Sequence, residues 1–242
     1  MLNGKTRILA CAVIAEELRS KLPAKIECET LDFGLHRSPE LLRAKLQEII
    51  DESTGYENIV LAYGLCGMAV IGLHSDSATL IVPRADDCIA VFLGSRKAYL
   101  KQQRDNPGSL FLSKGWIEGR IDDISPSINI FQTLVEKYGI ERAKRIHSVY
   151  EAKQPLRNYK RMAFITTSGE SNLDEYKKIA RKRAANLGLH YEEIPGSTAF
   201  MEKITSGLWD GEFVVVPPGR PIGFEDFWPD SPKSPSPSSF WS

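Results

Sequence analysis

The chain has 242 residues, enough for one large domain or two small ones with a sizeable core. Lys+Arg and Asp+Glu both number 31, so the formal charge is zero, and nothing in it favours nucleic acid or an anionic membrane as a partner. The longest apolar runs are strand-sized, and residues 1–7 carry no secretory pattern. The expected setting is therefore the cytoplasm, where spaced cysteines serve as metal ligands or reactive thiols more often than as disulfides.

In chain order, residues 7–14 read as an apolar strand and residues 15–22 as a helix stopped by Pro23. Alternating Ile26, Cys28 and Thr30 predict a second strand over 25–33. Ser38, Pro39 and Glu40 supply an N-cap, a proline at the first helical position and an acid in the first turn. The helix over 39–52 should bury Leu41, Leu42, Leu46, Ile49 and Ile50. Strands are expected at 58–63 and 78–82, with a short helical segment at 68–73 between them. Asp86 or Asp87 should cap a helix running from Cys88 to Ala98.

An irregular stretch is expected at 109–127 and a long helical region at 128–152. A second, smaller α/β unit then reads as strands over 162–165, 188–194 and 212–216, separated by helices over 174–187 and 199–208. The fold class that follows is α/β, two doubly wound parallel-sheet units joined by a long helical segment. Domain bounds are expected at 1–106, 107–160 and 161–229, with a Ser/Pro-rich tail over 230–242 whose composition does not favour order.

Cys11, Cys66, Cys88 and His36 each stand where an apolar run gives way to a glycine, acidic or proline-containing break, at intervals close to one βα unit. If the runs are successive parallel strands, these four ligand-type side chains emerge along one sheet edge, where open α/β folds bind ligands. Neighbouring strands lie about 4.8 Å apart and Zn–S bonds are about 2.3 Å, so four ends in a row spread too far for one ion. The strand order 2-1-3-4 relaxes this by placing Cys11 and Cys66 at the switch point. Gly64 and Gly67 permit tight turns, while Arg84, Asp86 and Asp87 stand ready to orient a ligand or substrate. Thr167, Ser168 and Ser197 follow later strands beside helix starts, an arrangement that suits a small anionic substrate. Each residue also has an ordinary reading: buried cysteine is a common core residue, His36 a cap, and Asp86-Asp87 a helix cap.

The segments Leu31-Asp32-Phe33-Gly34-Leu35-His36-Arg37-Ser38-Pro39, Tyr63-Gly64-Leu65-Cys66-Gly67 and Pro83-Arg84-Ala85-Asp86-Asp87-Cys88-Ile89, followed by Gly94-Ser95-Arg96, are specific enough to compare. They resemble a domain-of-unknown-function family common in methanogens, acetogens and other anaerobes. The resemblance runs to about residue 227, and such proteins often accompany corrinoid-dependent methyl-transfer systems. It carries no established activity. Met68 and Asp86 depart from the asparagine and histidine that the resemblance leads one to expect.

The leading expectation is a metalloprotein that binds zinc or an iron–sulfur cluster through Cys11, Cys66 and Cys88, with His36 or substrate in a further position, in one-carbon or methyl-transfer metabolism. One alternative is a non-catalytic accessory protein of a corrinoid-dependent methyltransferase system. Another is a metal-free enzyme with Cys66 as nucleophile.

Overall fold

The computed structural model describes residues 2, 5–19, 21–32, 34–35, 38–118, 138–142, 145, 158–167 and 172–228. The chain divides into two compact units, one of residues 1–100 with 196–242 and the other of residues 101–195.

The first unit begins with β1 (Thr6–Cys11), α1 (Ala12–Arg19), β2 (Glu27–Leu31), α2 (Pro39–Glu52), β3 (Asn58–Ala62), β4 (Thr79–Pro83) and α3 (Cys88–Phe92). The chain leaves it within α4 (Arg96–Asp105). It returns through α7 (Ala199–Ser206), β8 (Phe213–Val216) and α8 (Phe224–Phe227). The sheet order is β2-β1-β3-β4-β8, with β1 to β4 parallel. The inner strands β1 and β3 are apolar on both faces, as covered parallel strands must be, and Ile8, Leu9, Ile59, Val60 and Leu61 are fully buried. The edge strand β2 instead carries Glu27 and Glu29, both paired with Arg7 of β1 at 3.2 and 2.6 Å. Charge on an exposed edge discourages pairing with another chain.

Ser38 stands at the N-cap of α2 with Pro39 at its start, but its side chain makes no capping hydrogen bond. Leu42, Leu46, Ile49 and Ile50 are buried as the spacing predicts, whereas Leu41 is exposed, one position round the helix from the apolar stripe. Residues 66–72 form turns where a helix over 68–73 is expected. Gly67, Met68 and Gly72 all have positive φ there, which a right-handed helix excludes.

The strand expected over 212–216 in the second unit belongs to the first. It is β8, antiparallel to β4, with Leu80 opposite Val216 and Pro83 opposite Phe213. Pairing is extended by Arg84 N–H to Glu212 O (2.7 Å) and Gly219 N–H to Ser75 O (2.8 Å). A parallel sheet ending at β4 would leave that apolar strand open on one side; β8 covers it.

The second unit holds β5 (Ser109–Leu112), α5 (Lys114–Glu118), β6 (Arg161–Thr166), α6 (Leu173–Asn186) and β7 (His190–Pro195), in a parallel sheet of order β5-β6-β7. Its core is Leu112, Ile117, Met162, Phe164, Ala180 and Ala184. The stretch expected to be irregular from residue 109 thus starts with a strand and a short helix. Buried Arg161 donates to Ser109 Oγ, Glu192 and Gln102, which removes the cost of burying an unpaired guanidinium. Most of the helical region expected over 128–152, and the tail over 230–242, lie outside the described residues. No helix among the described residues is long and apolar enough to cross a membrane.

Candidate functional site

From β1 the chain crosses to β2 on one side, and β3 then follows on the other, so the switch point of the first sheet lies at the C-terminal ends of β1 and β3. Cys11 is the last residue of β1, paired in register with Leu31 at the end of β2. Cys66 lies in the loop after β3, and Cys88 opens α3 after β4. All three expected positions are thus at C-terminal ends of parallel strands in one sheet.

No loop separates β1 from α1, so the buried Cys11 sits directly at the helix start and its sulfur accepts from the backbone N–H groups of Val13 and Ile14. The sulfur of half-buried Cys66 accepts from the backbone N–H of Gly64 and Cys88. Both thiols therefore meet fixed donors, the environment that orients a ligating sulfur. What reaches Cys66 from Cys88 in this arrangement is its main chain; the Cys88 side chain is itself buried.

The loop that presents Cys66 is unusual. Cys66, Gly67 and Met68 have φ of 45°, 67° and 71°, three successive residues in the left-handed region. For the two that are not glycine this costs about 1 kcal/mol each or more. Four hydrogen bonds offset that cost: Leu65 N–H to Ala85 O (2.9 Å), Cys66 N–H to Asp86 O (3.2 Å), Ala69 N–H to Leu65 O (3.0 Å) and Arg43 Nη2 to Met68 O (2.8 Å). Gly64 is required by space, since a Cβ there would lie 2.7 Å from the Asp87 Cα and N. The loops after β3 and β4 are thus laced together through their main chains.

Burial pushes the Cys11 thiol up to about 11, with the charge of Asp32 adding to it against the N–H groups of Val13 and Ile14. The Cys66 thiol is pushed up to about 12, first by burial and then by Cys11, with Asp87 adding and the Gly64 and Cys88 N–H groups opposing. The Tyr63 phenol is held well above its ordinary range by burial, then by Cys11, Cys66, Cys28 and Glu29. Asp32 thus acts on Cys11, Cys11 and Asp87 act on Cys66, and both thiols act on Tyr63, a cluster of acidic groups each disfavouring ionisation of the next. Sequence reasoning passed over Asp32 and Tyr63. The available signal was positional: Asp32 follows β2 as directly as Tyr63 follows β3.

The other expected groups are placed as follows. Arg84 donates to the carbonyls of Gly211 (3.0 Å), Phe213 (3.3 Å), Phe227 (2.9 Å) and Asp226, so its guanidinium fastens the C-terminal segment. Asp86 pairs with Arg96 at 2.9 Å. Asp87 is the N-cap of α3, its Oδ1 accepting from Ile89 (2.9 Å) and Ala90 (3.2 Å) N–H, while its Oδ2 accepts from the Tyr99 hydroxyl (3.2 Å). Gly67 packs on Pro39, where a Cβ would meet the proline Cγ at 3.0 Å.

Ser197, expected in the second unit, lies in the first beside α7. Its N–H bonds Phe92 O at 2.8 Å, and it fills the space next to Gly94 that a side chain there would need. It follows β7, but the chain re-enters the first unit at Gly196, so Ser197 and Thr167 fall in different units. Thr167 is buried just past β6, with a hydroxyl that has no hydrogen-bond partner among the described residues. His36 and Ser168 lie outside the described residues. Among the described residues, no group of three or more His, Cys, Asp or Glu side chains stands in a ready-made metal arrangement. Of the three cysteines, Cys11 and Cys66 are near enough for a charge on Cys11 to raise the Cys66 thiol.

No curated protein and no solved structure matches the chain. One family model matches over residues 30–205, a span that includes Cys66, Cys88 and the strands β3 to β7 but not β1 with Cys11. That span is more than half of the chain, which therefore belongs to the family described as Protein of unknown function (DUF1638).

Proposed function

We propose that the chain binds a thiophilic metal, zinc or the iron of an iron–sulfur cluster, at the switch point of its first sheet, through Cys11 and Cys66. Cys88 and His36 are the candidates for the remaining positions. The observation that carries this reading is two thiols at the switch point, each facing backbone N–H donors and each raised by burial and a nearby acid, with Cys11 acting on Cys66. Such a field resists loss of a proton unless a cation arrives, and a metal deprotonates a ligating thiol outright. The same field speaks against the metal-free nucleophile, which needs a thiolate near neutral pH. An anionic substrate is likewise disfavoured by the acids alone and would bind beside the cation. Four free cysteines suit a reducing compartment such as the cytoplasm. A catalytic place in methyl transfer rests on the resemblance in sequence and follows only if the metal is found; a corrinoid-system protein as partner rests on the same resemblance and does not need the metal.

The test is metal analysis of protein purified without oxygen. The expected result is about one equivalent of zinc, or several of iron with sulfide. Cys11→Ser and Cys66→Ser should each lose it. Full occupancy in Cys66→Ser overturns the proposal, and metal-free wild-type protein that takes up neither zinc nor iron leaves the accessory-protein reading.

A further inference from the structure

The turn over 84–88 is gripped from two sides. On one side its carbonyls at Ala85 and Asp86 accept the N–H groups of Leu65 and Cys66, which hold the left-handed backbone of Cys66 in place. On the other side the Asp86 carboxylate accepts from Arg96 at 2.9 and 3.4 Å, and the Arg96 guanidinium lies 3.6 Å over the ring of Trp228. Trp228 closes the segment that begins with α8, and Arg84 fastens the same segment by donating to the Asp226 and Phe227 carbonyls. Asp226 is itself held by Arg220 through two 2.9 Å bonds and by the Gly223 N–H at 2.7 Å. A short relay thus runs from Trp228 through Arg96 and Asp86 to the main chain of Cys66. Its first link, Trp228, lies beyond the span matched by the family model.

We infer that Arg96 is a positioning residue of the thiol site, that it fixes the turn presenting Cys66 by way of Asp86, and that the C-terminal segment controls it through Trp228. The Arg96–Asp86 pair is partly exposed, at 38% and 29%, and such pairs alone contribute little. The contact with the Trp228 ring at 3.6 Å is what confines the guanidinium and makes the pair count. Removing either partner frees Asp86, and the carbonyl that holds Cys66 moves with it. The inference deepens the metal-site reading by naming what governs Cys66, and rests on that reading only for its effect on metal affinity.

The experiment is residue-level hydrogen exchange on the metal-free full chain carrying Arg96→Ala, Arg96→Lys, Trp228→Ala or Trp228→Phe, followed by zinc titration of the same proteins. In Arg96→Ala and Trp228→Ala the Leu65 and Cys66 amides should exchange roughly five- to tenfold faster, the scale of one ion pair with one cation–π stack. The β3 amides from Ile59 to Ala62 should keep their wild-type protection. Trp228→Phe retains a ring and should restore most of the protection; Arg96→Lys keeps the charge without the flat face and should restore part of it. Zinc affinity should fall by a similar factor in the two alanine variants. The inference is overturned if Leu65 and Cys66 exchange at wild-type rates in Arg96→Ala, or if β3 loosens by the same factor. Faster exchange in proteins that take up neither zinc nor iron would sink the metal reading and leave the relay standing, whereas zinc binding with unchanged exchange would do the reverse.

Discussion

Gly64→Ala tests the lacing of the two loops most directly. The φ of Gly64 is not in the left-handed region, so alanine suits the backbone and the only obstacle is space. The added Cβ would lie 2.7 Å from the Asp87 Cα, 2.7 Å from its N and 2.9 Å from Ala85 O. All three are main-chain atoms, and no rotamer change relieves them. Overpacking of this kind costs about 1–3 kcal/mol, and the stiffer unfolded chain returns about 0.4–1 kcal/mol of it. The net loss is about 1–2 kcal/mol, or roughly 2–8 °C in Tm for a chain of this size. Gly211→Ala is the matched control, because a Cβ there meets nothing within 4 Å and its φ is also ordinary. Thermal unfolding followed by circular dichroism reads both. A Gly64→Ala protein as stable as Gly211→Ala would show that the loops part without cost, and the argument for a rigid Cys66 would fail.

Zinc binding through both thiols near pH 7.5 should release about two protons, because Cys11 and Cys66 are pushed up to about 11 and about 12 and so are protonated there. Calorimetry in buffers of different ionisation enthalpy counts those protons, and affinity should climb about a hundredfold per pH unit; release of less than one proton would exclude the pair as joint ligands. In metal-free protein the unfolded chain ionises these thiols near 9 while the native state still holds their protons, so stability should decline from about pH 9 towards pH 12, and less steeply in a Cys11→Ser, Cys66→Ser double variant. Asp87→Ala should cost about 1 kcal/mol by uncapping α3, whereas Asp87→Asn keeps the acceptor and should cost little. Because Asp87 helps raise the Cys66 thiol, Asp87→Asn should also move the pH profile of Cys66 alkylation to lower pH, and an unmoved profile would remove Asp87 from the cluster.

The strands of the first sheet were legible because parallel strands buried on both faces must read as continuous apolar runs, and 8–10, 59–62 and 80–82 do. The order around β1 and the strand-end placement of Cys11, Cys66 and Cys88 followed from the alternation of strands with helices. The strand β8 was legible as a strand and misread in its partner. Phe213–Val216 is apolar whichever sheet it joins, and nothing local states that the chain will double back antiparallel to β4. Arg84 was misjudged for the same reason, since its carbonyl partners lie far along the chain at Gly211, Phe213, Asp226 and Phe227. Within the site, the ligand-type residues advertise themselves by type, but the part Tyr63 plays comes from the thiols around it and becomes visible only once the strands are side by side.

Because β8 lies more than a hundred residues beyond β4 in the chain, the first unit is split around the second, and this orders events during synthesis. When residue 100 has emerged from the ribosome, β1 to β4 are available but β4 still presents an unpaired apolar edge at Leu80, Ile81 and Val82. That edge stays sticky until residue 216 follows, about 6–23 seconds later at ordinary elongation rates. Nascent chains stalled between those points should therefore recruit holdase chaperones, and codon changes that slow translation within 101–195 should lower the soluble yield even though they alter no contact of the finished fold.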